Sequence, residues 1–199
     1  MDPRVTELQC IMPMENIGSV MTHGILSYER VAALIHTSVA MQPVQDRRDK
    51  KVVPGGLKLH QYANLYFHAR NPMLYKRLNE ASHLCVLRVS PDVLGINGAV
   101  ISDQNAASDY VRFWHPSQWQ ALPFDDIFAM DWVHDDRATY LRKKSRKCAE
   151  VLVPDRVSSQ FLRGAYVIDA KAERRLRECE FGLPISIDPV LFFRPVSGA

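Results

Sequence analysis

No two cysteines in this chain stand at the CxxC spacing of a zinc site: Cys10, Cys85, Cys148 and Cys179 lie far apart. No secretory segment is readable, so the thiols are expected to stay reduced in a cytoplasm. The longest apolar run falls well short of the roughly 18 residues that a membrane helix needs, and no membrane association is expected. The seven histidines are scattered without ligand spacing, so no metal is expected. The phosphate loop G-x-x-x-x-G-K-[ST] is missing, as are G-x-G-x-x-G, H-E-x-x-H and G-x-S-x-G, which removes several common enzyme classes. There is no internal repeat and no low-complexity tract. A net charge of only +3 means that any affinity for nucleic acid must come from local clustering of Lys and Arg.

What remains is a chain of 199 residues, 47% of them hydrophobic, enough for one domain with a substantial core. Strands are expected at 8–12, 63–69, 83–89, 98–102, 147–154, 164–168 and 189–193. Helices are expected at 13–22, 28–35, 72–79, 135–147 and 169–179. Residues 41–59, with DRRDKK followed by VPGG, have turn formers and charge but no apolar period, and read as a long functional loop. The elements interleave irregularly, which predicts an α+β fold in a single domain over 1–199.

Glu150 stands inside an apolar run, AEVLVP, where an unpaired carboxylate is costly. It is either a structural ion pair or edge-strand carboxylate, or a group working in a cleft. Period-two alternation puts Cys148, Glu150 and Leu152 on one strand face. Arg47 and Arg48, flanked by Asp46 and Asp49, read equally as solvated loop charges. The basic helix at 142–147 reads as a solvated face or a phosphate-facing one. Cys148 has cationic neighbours but no histidine partner, which favours a passive thiol.

The order of these residues resembles the DarT family of nucleic-acid ADP-ribosyltransferases, toxins of bacterial toxin–antitoxin systems. The matching pieces are MENIGSVMTHGILS (14–27), VQDRR (44–48), LHQYANLYFHARNPMLY (59–75), ISDQNAASDYVRFW (101–114) and KCAEVLVPDRV (147–157), covering about residues 8 to 167. The resemblance implies an ADP-ribosyltransferase-like fold, with central mixed sheets forming an NAD cleft flanked by helices. It also implies an enzyme that splits the nicotinamide–ribose bond of NAD and moves ADP-ribose onto a base of single-stranded nucleic acid, DNA rather than RNA. ADP-ribosylation of RNA, or a non-catalytic nucleic-acid-binding module of the same fold, are the alternatives.

By the same resemblance Glu150 is the catalytic carboxylate and Arg48 grips the NAD pyrophosphate, where a fixed fork of donors suits phosphate. Cys10, Asn16, Gly24, Leu26 and Tyr66 fall on its cofactor segments. Cys10 stands where many members carry a histidine, and Cys148 occupies the position, two before the glutamate, that helps choose the acceptor. Aromatic rings and cations at His60, Tyr62, Arg70, Tyr75 and Lys147 are expected to line a single-strand groove with Cys148. An antitoxin partner, often a macrodomain protein that removes ADP-ribose, is implied by the family. NAD is the co-substrate.

Overall fold

The computed structural model describes residues 1–32, 34–38 and 42–195. In chain order they form β1 (Leu8–Pro13), α1 (Ile17–His23), β2 (Ile25–Leu26), α2 (Tyr28–Val31), α3 (Gln42–Asp49), β3 (Tyr62–Tyr66), α4 (Pro72–Tyr75) and β4 (Leu84–Val89). There follow β5 (Val100–Ser102), β6 (Phe113–Trp114), α5 (Phe124–Phe128), α6 (Arg137–Arg146), β7 (Glu150–Pro154), β8 (Arg156–Val157), β9 (Leu162–Val167), α7 (Ala170–Glu178) and β10 (Ile185–Ile187). Eight strands make one mixed sheet in the order β10-β9-β4-β1-β3-β7-β5-β6, and β2 pairs with β8 apart from it. Only the β10–β9 pair in the large sheet is parallel.

The centre of the sheet is set by composition. LCVLRV of β4 is buried at every position but Arg88 and sits between β1 and β9, where both faces are covered. Arg88 survives there because its Nε donates to Glu7 at 2.7 Å. Helix α7 packs Ala172 and Leu176 against the sheet and starts at Asp169, whose carboxylate accepts from the Ala172 N–H at 2.9 Å. Helix α6 is opened the same way by Asp136 accepting from Thr139 N–H at 2.7 Å, yet buries none of its side chains.

Four expectations need correction. Residues 41–59 are not simply a loop: 42–49 form α3, and Val52 bridges Lys58 beyond it. QPVQDRRD has no apolar stripe, and its one buried side chain is Arg48, so tertiary contacts hold this helix and periodicity could not announce it. Met41 itself lies outside the described residues, as does Ala33 within the helix expected at 28–35, which ends at Val31. PVLFF at 189–193 is a turn: Pro189 offers no N–H, the Leu191 N–H goes to the Asp188 carboxylate at 3.0 Å, and Phe193 has φ 61°. The edge strand is β10 instead. Finally, β7 begins at Glu150 rather than at 147, because the N–H groups of Lys147, Cys148 and Ala149 still bond back to Lys143, Ser145 and Arg146.

Gly24 joins α1 to β2 at φ +83°, and a Cβ there would stand 2.1 Å from the Val157 carbonyl oxygen. Both strain and clash oppose any side chain. Gly24→Ala should therefore lower unfolding free energy by about 1–3 kcal/mol, and urea denaturation will check it; a change below about 0.5 kcal/mol would remove the constraint from the account.

Candidate active site

The pleat of β7 delivers Glu150 to the floor of a cleft of about 660 Å³, a volume that suits a small-molecule ligand. Antiparallel pairing sets Tyr66 of β3 directly opposite it. Glu150 is 1% exposed, and its charge is met on both sides. Arg48 Nη1 donates to Oε1 at 3.1 Å and to Oε2 at 2.9 Å, and the Ala106 backbone N–H donates to Oε1 at 2.9 Å. The Glu150 N–H in turn donates to Ser102 Oγ at 3.0 Å, which ties the strand to β5. Glu150 is thus an ion-paired carboxylate that also lines the cleft.

The cofactor-segment residues Cys10, Asn16, Gly24, Leu26, Arg48 and Tyr66 all line this cleft with Glu150, and so do Tyr62 and Cys148. Their local chemistry differs from what sequence suggests. Asn16 uses its amide on the chain itself, donating to the Thr37 carbonyl at 2.7 Å and accepting from the Thr37 N–H at 3.0 Å. It pins the segment 34–38 across the cleft mouth. Burial raises the Cys10 and Cys148 thiols to about 12, so neither is a nucleophile near neutrality, and the passive reading of Cys148 fits. Burial, followed by the Glu150 charge, raises the Tyr66 phenol well above its ordinary value, so the ring acts as a neutral wall.

The residues expected to line a nucleic-acid groove do not gather in one place. Tyr62 is buried in the cleft wall, its hydroxyl accepting from Leu57 N–H at 3.1 Å. His60 stacks on Tyr28 at 4.3 Å, bonds to Gln45 at 3.0 Å, and has its pKa lowered chiefly by burial. Arg70 and Tyr75 meet around Phe193 outside the cleft, Arg70 at 4.1 Å over its ring and Tyr75 at 5.1 Å edge to face. Lys147 is overturned as a phosphate contact. It is 1% exposed, and its ammonium donates to the Ile127 and Ala129 carbonyls at 2.9 and 2.6 Å, clasping the end of α5. In exchange the cleft holds Asn64 and the 105–110 segment, which had no assigned role, and Lys144 and Ser145 of the basic helix. The Ala106 N–H is a backbone donor and leaves no mark in a sequence. Among the described residues, no cluster of three or more His, Cys, Asp or Glu could hold a metal ion, and no helix is long and apolar enough to cross a membrane.

A family model described as "DarT: ssDNA thymidine ADP-ribosyltransferase" matches residues 10–193. A DNA ADP-ribosyl transferase–DNA ADP-ribosyl glycohydrolase fusion protein of Thermosipho africanus is 29% identical over 98% of this chain and 51% of its own length. The chain thus spans about half of that relative. A DNA ADP-ribosyl transferase of Thermus aquaticus is 26% identical over 84% of this chain and 77% of its own. Among solved structures, Thermosipho africanus DarTG in complex with ADP-ribose superposes with a TM-score of 0.80 at 26% identity, covering 95% of this chain and 51% of that one. Thermus sp. 2.9 DarT in complex with ADP-ribosylated ssDNA gives 0.79 at 20% identity over 95% and 97%, a likeness of fold. The mixed sheet with flanking helices is therefore the α+β ADP-ribosyltransferase-like fold that the resemblance implies.

The buried charge pair should be measurable as coupling. Arg48→Met and Glu150→Gln, made singly and together, are expected to show an interaction of roughly 1–3 kcal/mol in urea unfolding, whereas additive effects would mean the pair is not formed in solution. Burial, then the nearby Arg70, lowers Lys147 from 10.5 to about 8. Between those values the unfolded chain holds the proton that the folded one has released, so stability rises with pH across that window. The wild type should gain stability relative to Lys147→Met from pH 8 to 10.5, as read by denaturation at several pH values; parallel curves would contradict it.

Proposed function

This chain belongs to the DarT family, described as ssDNA thymidine ADP-ribosyltransferases, and on that premise we propose that it transfers ADP-ribose from NAD onto a base of single-stranded DNA. The observation that carries the reading is Glu150, held by Arg48 and the Ala106 N–H at the floor of a ligand-sized cleft.

Breaking the bond between nicotinamide and ribose sends the electron pair out with nicotinamide and leaves positive charge on the sugar. A carboxylate beside that sugar stabilises the charge more than it stabilises the bound ground state, which lowers the barrier. Glu150 is suited to this because its hydrogen bonds fix it before the charge develops. Arg48 supplies a planar set of donors for the pyrophosphate; binding the dianionic linkage gives the guanidinium a second anion and loosens its hold on the carboxylate. The attacking base nitrogen forms the new bond to the anomeric carbon and gives its proton to Glu150. Burial keeps water from competing. An unstacked base is needed for such an approach, which favours single strands over duplex.

The residues 1–199 act in this reading as one catalytic unit, since the main sheet draws strands from β1 to β10. The fused glycohydrolase of the Thermosipho relative supports a biological setting of toxin and antitoxin or phage defence, with a hydrolase partner that removes ADP-ribose, in the cytoplasm. DNA is preferred over RNA on the family description.

Wild-type protein and Glu150→Gln, both checked for fold by circular dichroism, are to be incubated with NAD and with single-stranded DNA, duplex DNA and RNA oligonucleotides. Mass spectrometry should find ADP-ribose on the single-stranded DNA with wild type, and about a 100-fold or greater loss with the variant. A fully active variant would defeat the role of Glu150, and modification of RNA alone would reassign the substrate.

A further inference from the structure

Strand β3 alternates as its pleat requires: Ala63 and Leu65 belong to the core, while Tyr62, Asn64 and Tyr66 line the cleft. Asn64 is the odd member of that face. It is a half-buried carboxamide between two aromatic rings, at a strand position that asparagine ordinarily disfavours. Its one acceptor and two donors have no hydrogen-bond partner among the described residues. Packing therefore gives no reason for the amide, whose oxygen and nitrogen stay open to the cleft and are free to pair with a ligand.

Register says what lies next to it. Asn64 pairs across with Leu152, and Tyr66 with Glu150. Asn64 and Glu150 are thus diagonal neighbours on one face, roughly 7–8 Å apart with their Cβ atoms somewhat closer. Both rise from the same floor, so a single furanose above them is within hydrogen-bond reach of both. Leu152, on the same strand face, is fully buried in a core cluster and does not line the cleft.

We propose that Asn64 binds the ribose diol of the sugar being transferred, donating from Nδ2 to one hydroxyl and accepting at Oδ1 from the other. This rests on the transferase reading above. Glu150 then faces the edge of the ring that bears the anomeric carbon, and the two side chains together stop the sugar from turning as its bond to nicotinamide lengthens.

The test compares ADP-ribose, which carries the terminal ribose, with ADP, which lacks it. Calorimetry with wild type and Asn64→Ala should show ADP-ribose binding weakened about tenfold by the substitution, the worth of one to two hydrogen bonds, and ADP binding unchanged. The melting temperature without ligand and the KM for the oligonucleotide should both hold. Equal weakening of ADP, unaltered ADP-ribose affinity, a rise in oligonucleotide KM, or a lowered melting temperature each overturns the assignment. A wild-type chain that binds neither ADP-ribose nor NAD sinks the transferase reading and this inference with it; an active wild type whose Asn64→Ala variant behaves identically sinks this inference alone.

Discussion

A guanidinium and a carboxylate 102 positions apart meet at 2.9 Å in a site where both are nearly sealed from water. Neither charge would be tolerated there alone, since an isolated buried ion costs several kcal/mol or more. The pairing therefore forces α3, β7 and the 105–110 segment to converge, because Arg48 comes from the first, Glu150 from the second and the Ala106 N–H from the third. That convergence is what makes a cleft instead of a filled groove. A bound pyrophosphate would complete the arrangement by offering Arg48 a second anion at the moment the carboxylate is required elsewhere.

Around this pair the protein divides its polar side chains between two duties. Some line the cleft, as Glu150 and Asn64 do. Others are consumed by the fold: Asn16 on the backbone of Thr37, Lys147 on the carbonyls that end α5, Ser102 on the strand carrying Glu150. The second group determines where the first group stands. Side chains that look alike in a list of polar residues thus have opposite meanings for chemistry, and only their hydrogen bonds tell them apart.

Much of this was legible beforehand, and for uneven reasons. The buried strands β4 and β9 announce themselves by β-branched and apolar runs, and α7 by its capping aspartate and apolar spacing. Glu150 drew attention because a carboxylate inside an apolar run demands an explanation, and the linear order of its partners carried the family resemblance. Helix α3 was invisible because it has no apolar stripe and depends on contacts made elsewhere. Lys147 was misplaced because the last turn of α6 runs two or three residues into what reads as strand, which turns its side chain inward. Tyr75 and Arg70 were grouped into a single-strand groove by chemistry alone, but α4 carries Tyr75 outward to Phe193 while Met73, two residues earlier, faces the cleft.

The junction at 147–149 has one more implication. Three residues carry the chain from the end of a helix to the first position of a strand, and a strand reverses its facing with every residue. A lineage built on this scaffold can lengthen or shorten exposed turns, such as residues 133–135 ahead of α6, at little cost. A single insertion or deletion at 147–149 would turn the carboxylate away from Arg48 onto the hydrophobic side of the sheet, at the expense of both the cleft and the fold. Variation in length is thereby channelled away from the one place where phase matters.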